Sequence, residues 1–352
     1  MSDVYDANVS QDSSITLGGG IVCDGYADEC PAAVITHAHG DHYWGLDKLL
    51  LSCENIFMSR ATRDLLIAQK PALDIRRNIK PLEFGSEVKV DRYKLRILPV
   101  KHILGSSQVI IQDVDASKRL AYSGDFLMPG TQPVEADTLV VDATYGNPTR
   151  VRNFDRKEIE LQVLNKVKES LGDGPVVIDA TRGKIQEAMN ILREGGIDVP
   201  FISSKEMQQW AKIYENYGIK TGQIESFQDL EGIKLLRKRG PHVLFRILGT
   251  MRPDIAGYTR IKLSGQDSLG GFVQLAPRYF VGTLSDHADF NGTMDYIRTS
   301  NPTLVITDNS RGGDARELAS EVRQRLKIRS IALPFATDVN SQMSTADSPA
   351  PG

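Results

Sequence analysis

Three of the chain's six histidines fall within six consecutive positions, in the stretch VITHAHGDHYWGL from Val34 to Leu46. An apolar run precedes them and a helical pattern, GLDKLLL, follows. His37 and His39 are two apart on a chain leaving a strand, so their side chains can lean the same way. Gly40 allows a tight turn. Asp41 and His42 then open the next helix and reach back across that turn. Imidazole nitrogens mixed with a carboxylate suit zinc, and this spacing suits two ions better than one. A surface cluster without function would need neither the strand before it nor the helix after it.

The rest of the chain divides by rhythm. Up to about Asp142, short apolar runs alternate with turns, as expected of many short strands with few helices. SRATRDLLIAQK is one of those helices, with Ser59 as N-cap. After Tyr145 the pattern becomes strand, helix, strand. NFDRKEIELQVLNKVKESLGDG reads as an amphipathic helix closed by Gly172, followed by VVIDAT, RGKIQEAMNILREGG, VPFIS and SKEMQQWAKIYENYG. Such alternation indicates a parallel α/β layer. Short strands return in YFVGTL, TLVITD and RSIALP. The expected organisation is a first domain over 15–148, resumed over 278–337, with an inserted domain over 149–277. Residues 1–14 read as frayed, and 338–352 as a disordered tail.

Charge narrows the function classes. With 42 Lys and Arg against 45 Asp and Glu, the formal net charge is -3, so the chain is no polycation. Contact with nucleic acid must come from a local patch or a metal. No apolar run approaches the roughly 20 residues of a membrane helix, and the polar, acidic start is unlike a secretory signal. Cys23, Cys30 and Cys53 lack metal-ligand spacing and read as free thiols in a reducing compartment, which makes the cytoplasm the default location. Oligomeric state is not encoded in any pattern here.

The HAHGDH stretch resembles the HxHxDH signature of the metallo-β-lactamase fold. The resemblance extends to His102 in VKHILGSSQV, Asp125 in YSGDF and Asp24 in IVCDGY. It implies that His37, His39 and His102 hold one metal, that Asp41 and His42 hold the second, that Asp125 bridges, and that Asp24 stands behind the ligands. Three further stretches are similar to the β-CASP nucleic-acid-processing members: TLVVDATYGNP before the insertion, RGKIQEAMNIL at its start, and LSDHADF at its close. They imply a pair between Asp142 and His287 beside the metals. Where members of that group commonly carry one more histidine, this chain reads TLVITDNSRGG, which puts Asp308 forward as a substitute ligand. The implied architecture is a four-layered αββα metallo-β-lactamase sandwich with an inserted parallel α/β β-CASP domain.

The implied activity is a metal-dependent nuclease with two Zn²⁺, or Mn²⁺ at the more oxygen-rich second position. Hydroxide generated between the ions would attack a phosphodiester, and His287, kept protonated by Asp142, would serve the leaving oxygen. Asp41 is counted with these catalytic residues. Candidate substrate contacts are Ser106, Ser107, Arg182, Lys184 and Ser285. RNA, processed at 3′ ends or exonucleolytically, is weighed above DNA because most characterised members act on RNA. The alternatives are a DNA exonuclease of the ligase-associated type, a thioester or lactam hydrolase of the same fold, and a non-catalytic partner subunit.

Overall fold

Why the histidines meet follows from how three sheets are assembled. The computed structural model describes residues 5–238, 240–250, 253–265 and 270–335. The expected disordered tail lies outside the described residues. One six-stranded sheet runs in order Ala7–Val9, Ile15–Leu17, Ile21–Cys23, Ala33–Val34, Ile56–Met58, Ile79–Pro81. The segment expected to be frayed therefore contributes an edge strand, with Val9 and Ala7 buried against its neighbour. A seven-stranded sheet faces it, in order Arg329–Leu333, Leu304–Asp308, Thr138–Val141, Arg119–Tyr122, Ser107–Asp113, Tyr93–Pro99, Glu87–Val90.

Alternating side chains of both sheets fill the space between them. Ile15, Leu17 and Val34 from the first sheet meet Leu95, Ile97, Ile111 and Tyr122 from the second. The opposite faces are covered by helices: Leu46–Ser52 and Arg60–Gln69 on the first sheet, Phe290–Ser300 and Ala315–Glu321 on the second. These are the four αββα layers, arranged as expected. Ser59 caps Arg60–Gln69 through the backbone N–H of Thr62.

The third sheet, in order Ile224–Ser226, Phe201–Ser203, Val243–Ile247, Val176–Ala180, Thr259–Ser264, Tyr279–Thr283, Phe272–Ala276, is parallel apart from its last edge. Two expectations are corrected here. Tyr279–Thr283 belongs to this sheet, so the boundary drawn at 277/278 cuts through it. A strand's apolar run does not say which sheet it joins. The helix after Tyr145 spans Arg156–Asp173 with Asp155 as N-cap, and Gly174 rather than Gly172 ends it.

The third sheet is not a loose appendage. Its helices share one continuous core with the first sheet, in which Met207, Trp210 and Tyr214 pack with Leu65, Leu66 and Ile103. The join passes through Gly183, at φ +80°, where an added Cβ would overlap the Ile103 side chain. Gly183→Ala is expected to cost about 1–3 kcal/mol of stability, measured as a lowered denaturation midpoint in urea with an unchanged slope.

Candidate metal centre and cleft

In the sandwich the strands end at one edge, and the chemistry-bearing residues follow those ends. Asp24 follows Ile21–Cys23, His37 lies just beyond Ala33–Val34, and His102 follows Tyr93–Pro99. Asp125 and Asp142 follow Arg119–Tyr122 and Thr138–Val141, which run parallel. Asp41 and His42 sit in the turn before Leu46–Ser52 rather than inside the helix as expected; His42 N–H bonds to the carbonyl of His39.

The resulting geometry centres on one oxygen. Asp125 Oδ2 lies 3.2 Å from His42 Nε2, 3.7 Å from both His37 Nε2 and His102 Nε2, and 3.8 Å from His287 Nε2. His39 Nδ1 stands 3.0 Å from His37 Nε2 and 3.1 Å from His102 Nε2. Ligand atoms of His37, His39, His102 and Asp125 all fall within 4.8 Å of one another, as do those of Asp125, Asp142 and His287.

Electrostatics supports a cation at this point. Burial pushes the His37 and His39 imidazoles down, and His102 to about 4. With His39 Nε2 donating to Arg182 O and His102 Nδ1 to Asp286 O, the lone pairs of His39 Nδ1 and His102 Nε2 turn to the centre. His42 Nε2 is buried without a hydrogen-bond partner. Buried polar atoms are normally satisfied, so this orphan together with the converging imidazoles fits the donor set of a divalent metal site.

The supporting residues hold these rings in place. Asp24, fully buried, accepts from Thr36 N (2.7 Å) and faces His42 Nδ1 at 2.7 Å. His42 Nε2 is thereby turned towards Asp125, as a metal-binding imidazole is usually oriented by a carboxylate behind it. Burial opposes the charged form of His42, but Asp125 and Asp24 outweigh it and raise its pKa. His287 Nδ1 meets Asp142 Oδ2 at 2.7 Å, while Asp142 Oδ1 accepts from Thr144 N. Burial lowers the His287 pKa, yet Asp142 and Asp125 push it up to about 9.

A cleft of about 710 Å³ opens over this centre, between the sandwich and the third sheet, lined among others by Asp41, Asp125, Asp142, Arg182 and His287. Several expected residues behave differently from expectation. Ser106 and Ser107 are buried away from the cleft: Ser106 Oγ accepts from Ile103 N, and Ser107 Oγ donates to Thr36 O. Their hydroxyls shape the His102 loop instead of meeting substrate. Lys184 reaches the lining but is clamped by Glu187 and Asp286, and is 2% exposed. Arg182 pairs with Glu206 at 2.6 Å and keeps a partly exposed edge, while its carbonyl meets His39 Nε2 at 3.2 Å. Ser285 Oγ accepts from His287 N and so fixes the histidine's turn.

Asp308 lines the cleft but joins none of the close groups. Its Oδ2 accepts from Arg311 Nη1 at 2.6 Å and its Oδ1 from Ser310 N at 2.8 Å. A carboxylate with both oxygens engaged is a poor candidate for the extra ligand expected of it. Arg311, which sequence reasoning missed, also lines the cleft. So does Tyr145, whose hydroxyl donates to the carbonyl of Gly265 and ties the Asp142 strand end to the third sheet. Only the Asp308 partner three residues on was there to be noticed, since Arg311's other contacts are remote in sequence. The remaining histidine, His242, lies elsewhere, between Gly240 O and Tyr258 OH.

The family model described as beta-lactamase superfamily domain matches residues 26–191. The chain is 37% identical to an uncharacterised protein in the lig 3′ region of Acidianus ambivalens, over 39% of this chain and 99% of that protein. It is 26% identical to a probable DNA ligase of Opitutus terrae, over 83% of this chain and 28% of the ligase. It is also 26% identical to an RNase J-like protein of Methanocaldococcus jannaschii, over 53% of this chain and 50% of that protein. The chain thus spans half or less of the length of the latter two relatives.

The wall of the cleft carries its own test. Burial disfavours the Glu187 carboxylate, but Lys184 and Arg156 overcome it and hold the pKa at about 2, below the 4.5 of a free side chain. A depressed carboxylate contributes stability that is whole above the unfolded value and fades as pH falls towards the folded one. Glu187→Gln should therefore lose about 2–3 kcal/mol at pH 7, by leaving Lys184 to Asp286 and Arg156 to Glu160 alone. Urea denaturation should show the gap to the parent narrowing between pH 5 and pH 2.

Proposed function

Because this chain belongs to the metallo-β-lactamase superfamily, in its β-CASP branch, we propose that it hydrolyses phosphodiester bonds of nucleic acid. The observation that carries the reading is the convergence of four imidazoles on Asp125 Oδ2 at the floor of a cleft of about 710 Å³. His37, His39, His102 and Asp125 would hold one divalent ion, and Asp41, His42 and the shared Asp125 a second. The nitrogen-rich set suits zinc, with Mn²⁺ competing at the more oxygen-rich end. Such ions would supply activated water and neutralise charge on the phosphoryl oxygens.

The chain's own groups account for the remaining steps. Asp142 accepts from His287 Nδ1, which fixes the ring and favours its protonated form, so that Nε2 faces the centre with a proton to give. That proton goes to the departing oxygen of the cleaved strand. Asp24 keeps His42 oriented, and the Tyr145–Gly265 bond holds the cleft wall against the Asp142 strand end. Arg182 lines the cleft, and the exposed edge of its guanidinium, the other side of which is held by Glu206, can meet a backbone phosphate. A lactam or thioester hydrolase would have no use for so broad a second wall.

Two relatives bear on the sugar. The RNase J-like relative supports RNA. The DNA ligase, which aligns with 83% of this chain, favours DNA as a second reading. A time course on 5′-labelled RNA and DNA of one sequence, with Zn²⁺ or Mn²⁺, decides between them and reports the cleavage mode. No cleavage of either strand under both metals would end the proposal.

Two outcomes are expected of variants in that assay. Asp125→Asn should abolish cleavage and lower bound metal, measured by elemental analysis of the purified protein. His287→Ala should slow cleavage of a natural strand by about 10²–10⁴-fold. It should slow an ester with a nitrophenol leaving group far less, since that oxygen departs without a proton. Equal losses on both substrates would remove His287 from the role of proton donor.

A further inference from the structure

The two ends of the metal centre are built differently. At one end, three imidazoles and a carboxylate come within 4.8 Å of each other. At the other, among the described residues no comparable group includes Asp41 or Asp308. Asp41 is largely exposed, with its Oδ2 3.5 Å from His42 Nε2. Asp308 is turned to Arg311 and Ser310 instead.

Arg311 is fixed from several sides. Its Nη1 donates to Asp308 Oδ2, and its Nη2 donates to the carbonyls of Ser13 (2.6 Å) and Asp24 (2.8 Å). Its side chain is 11% exposed. Asp24 is the residue whose carboxylate orients His42, so the guanidinium rests directly behind the Asp41–His42 end. It also feels the field of Asp125. The charge balance is simple. A free Asp308 would offer -1 to a second ion, whereas the Asp308–Arg311 pair offers 0. An end that offers less negative charge holds a second cation less tightly.

We infer that this centre is unequal: His37, His39, His102 and Asp125 take one divalent ion tightly, while Arg311, clamped by Asp308, weakens the second ion at Asp41, His42 and Asp125 and leaves it exchangeable. The inference rests on the metal-dependent reading above, and assigns Asp308 to holding Arg311 rather than to a metal.

The test is metal binding, read without any substrate. Chelator-stripped full-length protein is titrated with Zn²⁺ by calorimetry, with bound metal counted by elemental analysis after desalting. The expected isotherm has two steps, the second at least about tenfold weaker, and about one ion survives desalting. Arg311→Gln should tighten the second step by about tenfold or more, whereas Arg311→Lys, which keeps the charge, should leave the steps apart. Two equal steps in the parent would overturn the inference while leaving the metal-dependent reading intact. A second step that weakens or stays put in a folded Arg311→Gln protein would also overturn it. Absence of any bound ion in the parent would overturn both. The parent isotherm decides even if the glutamine variant fails to fold.

Discussion

Everything in this molecule that bears on chemistry is arranged about a single carboxylate oxygen, Asp125 Oδ2, with four imidazole nitrogens inside 3.8 Å. Such a constellation is costly in the absence of a cation. Burial holds the His37 and His102 imidazoles neutral, so their lone pairs face one another, while the buried Asp125 carboxylate is countered only by His42 and His287. The fold bears that cost because each residue is anchored by a strand end that the hydrophobic sandwich fixes independently. The packing of Leu95, Ile97, Ile111 and Tyr122 against Ile15, Leu17 and Val34 sets the edge. The edge then sets where His102, Asp125 and Asp142 begin.

The polar support is layered behind the edge in a similar way. Asp24 orients His42, Asp142 orients His287, and Ser285 shapes the turn that delivers His287. Each support comes from a different strand end, so no single loop controls the centre. The third sheet adds its own contribution. The carbonyl of Arg182 touches His39, and Asp286, clamped by Lys184, offers its carbonyl to His102 Nδ1 at 3.0 Å. The second wall is therefore part of the centre and not merely a cover for it.

Much of this was legible in the sequence, for a definite reason. HAHGDH, His102, Asp125, Asp142 and His287 each sit where an apolar run stops, and a parallel strand's end is where side chains can converge. The four-layer architecture was implied by the resemblance of the histidine motif to a known fold, whereas the alternating runs and amphipathic helices pointed only to short strands and an inserted parallel α/β layer. What escaped notice depended on partners remote in sequence. Ser106 and Ser107 looked available for a phosphate until Ile103 N and Thr36 O claimed them. Lys184 looked free until Asp286, 102 positions away, met it. Arg311 drew no attention because its anchors at Ser13 and Asp24 lie almost 300 residues upstream. Tyr279–Thr283 was assigned to the wrong sheet because hydrophobic alternation is silent about neighbours.

The shared core of Met207, Trp210, Tyr214, Leu65, Leu66 and Ile103 has a thermodynamic consequence. Where two modules meet through a wet, polar seam they can melt one after the other. Here, behind the cleft, an apolar part of the seam is continuous with the interior of both, so cohesion within each half and adhesion between halves draw on the same buried side chains. Unfolding is then cooperative across the junction. The histidine-bearing loop keeps its shape only while the neighbouring helix Lys205–Asn216 keeps its own.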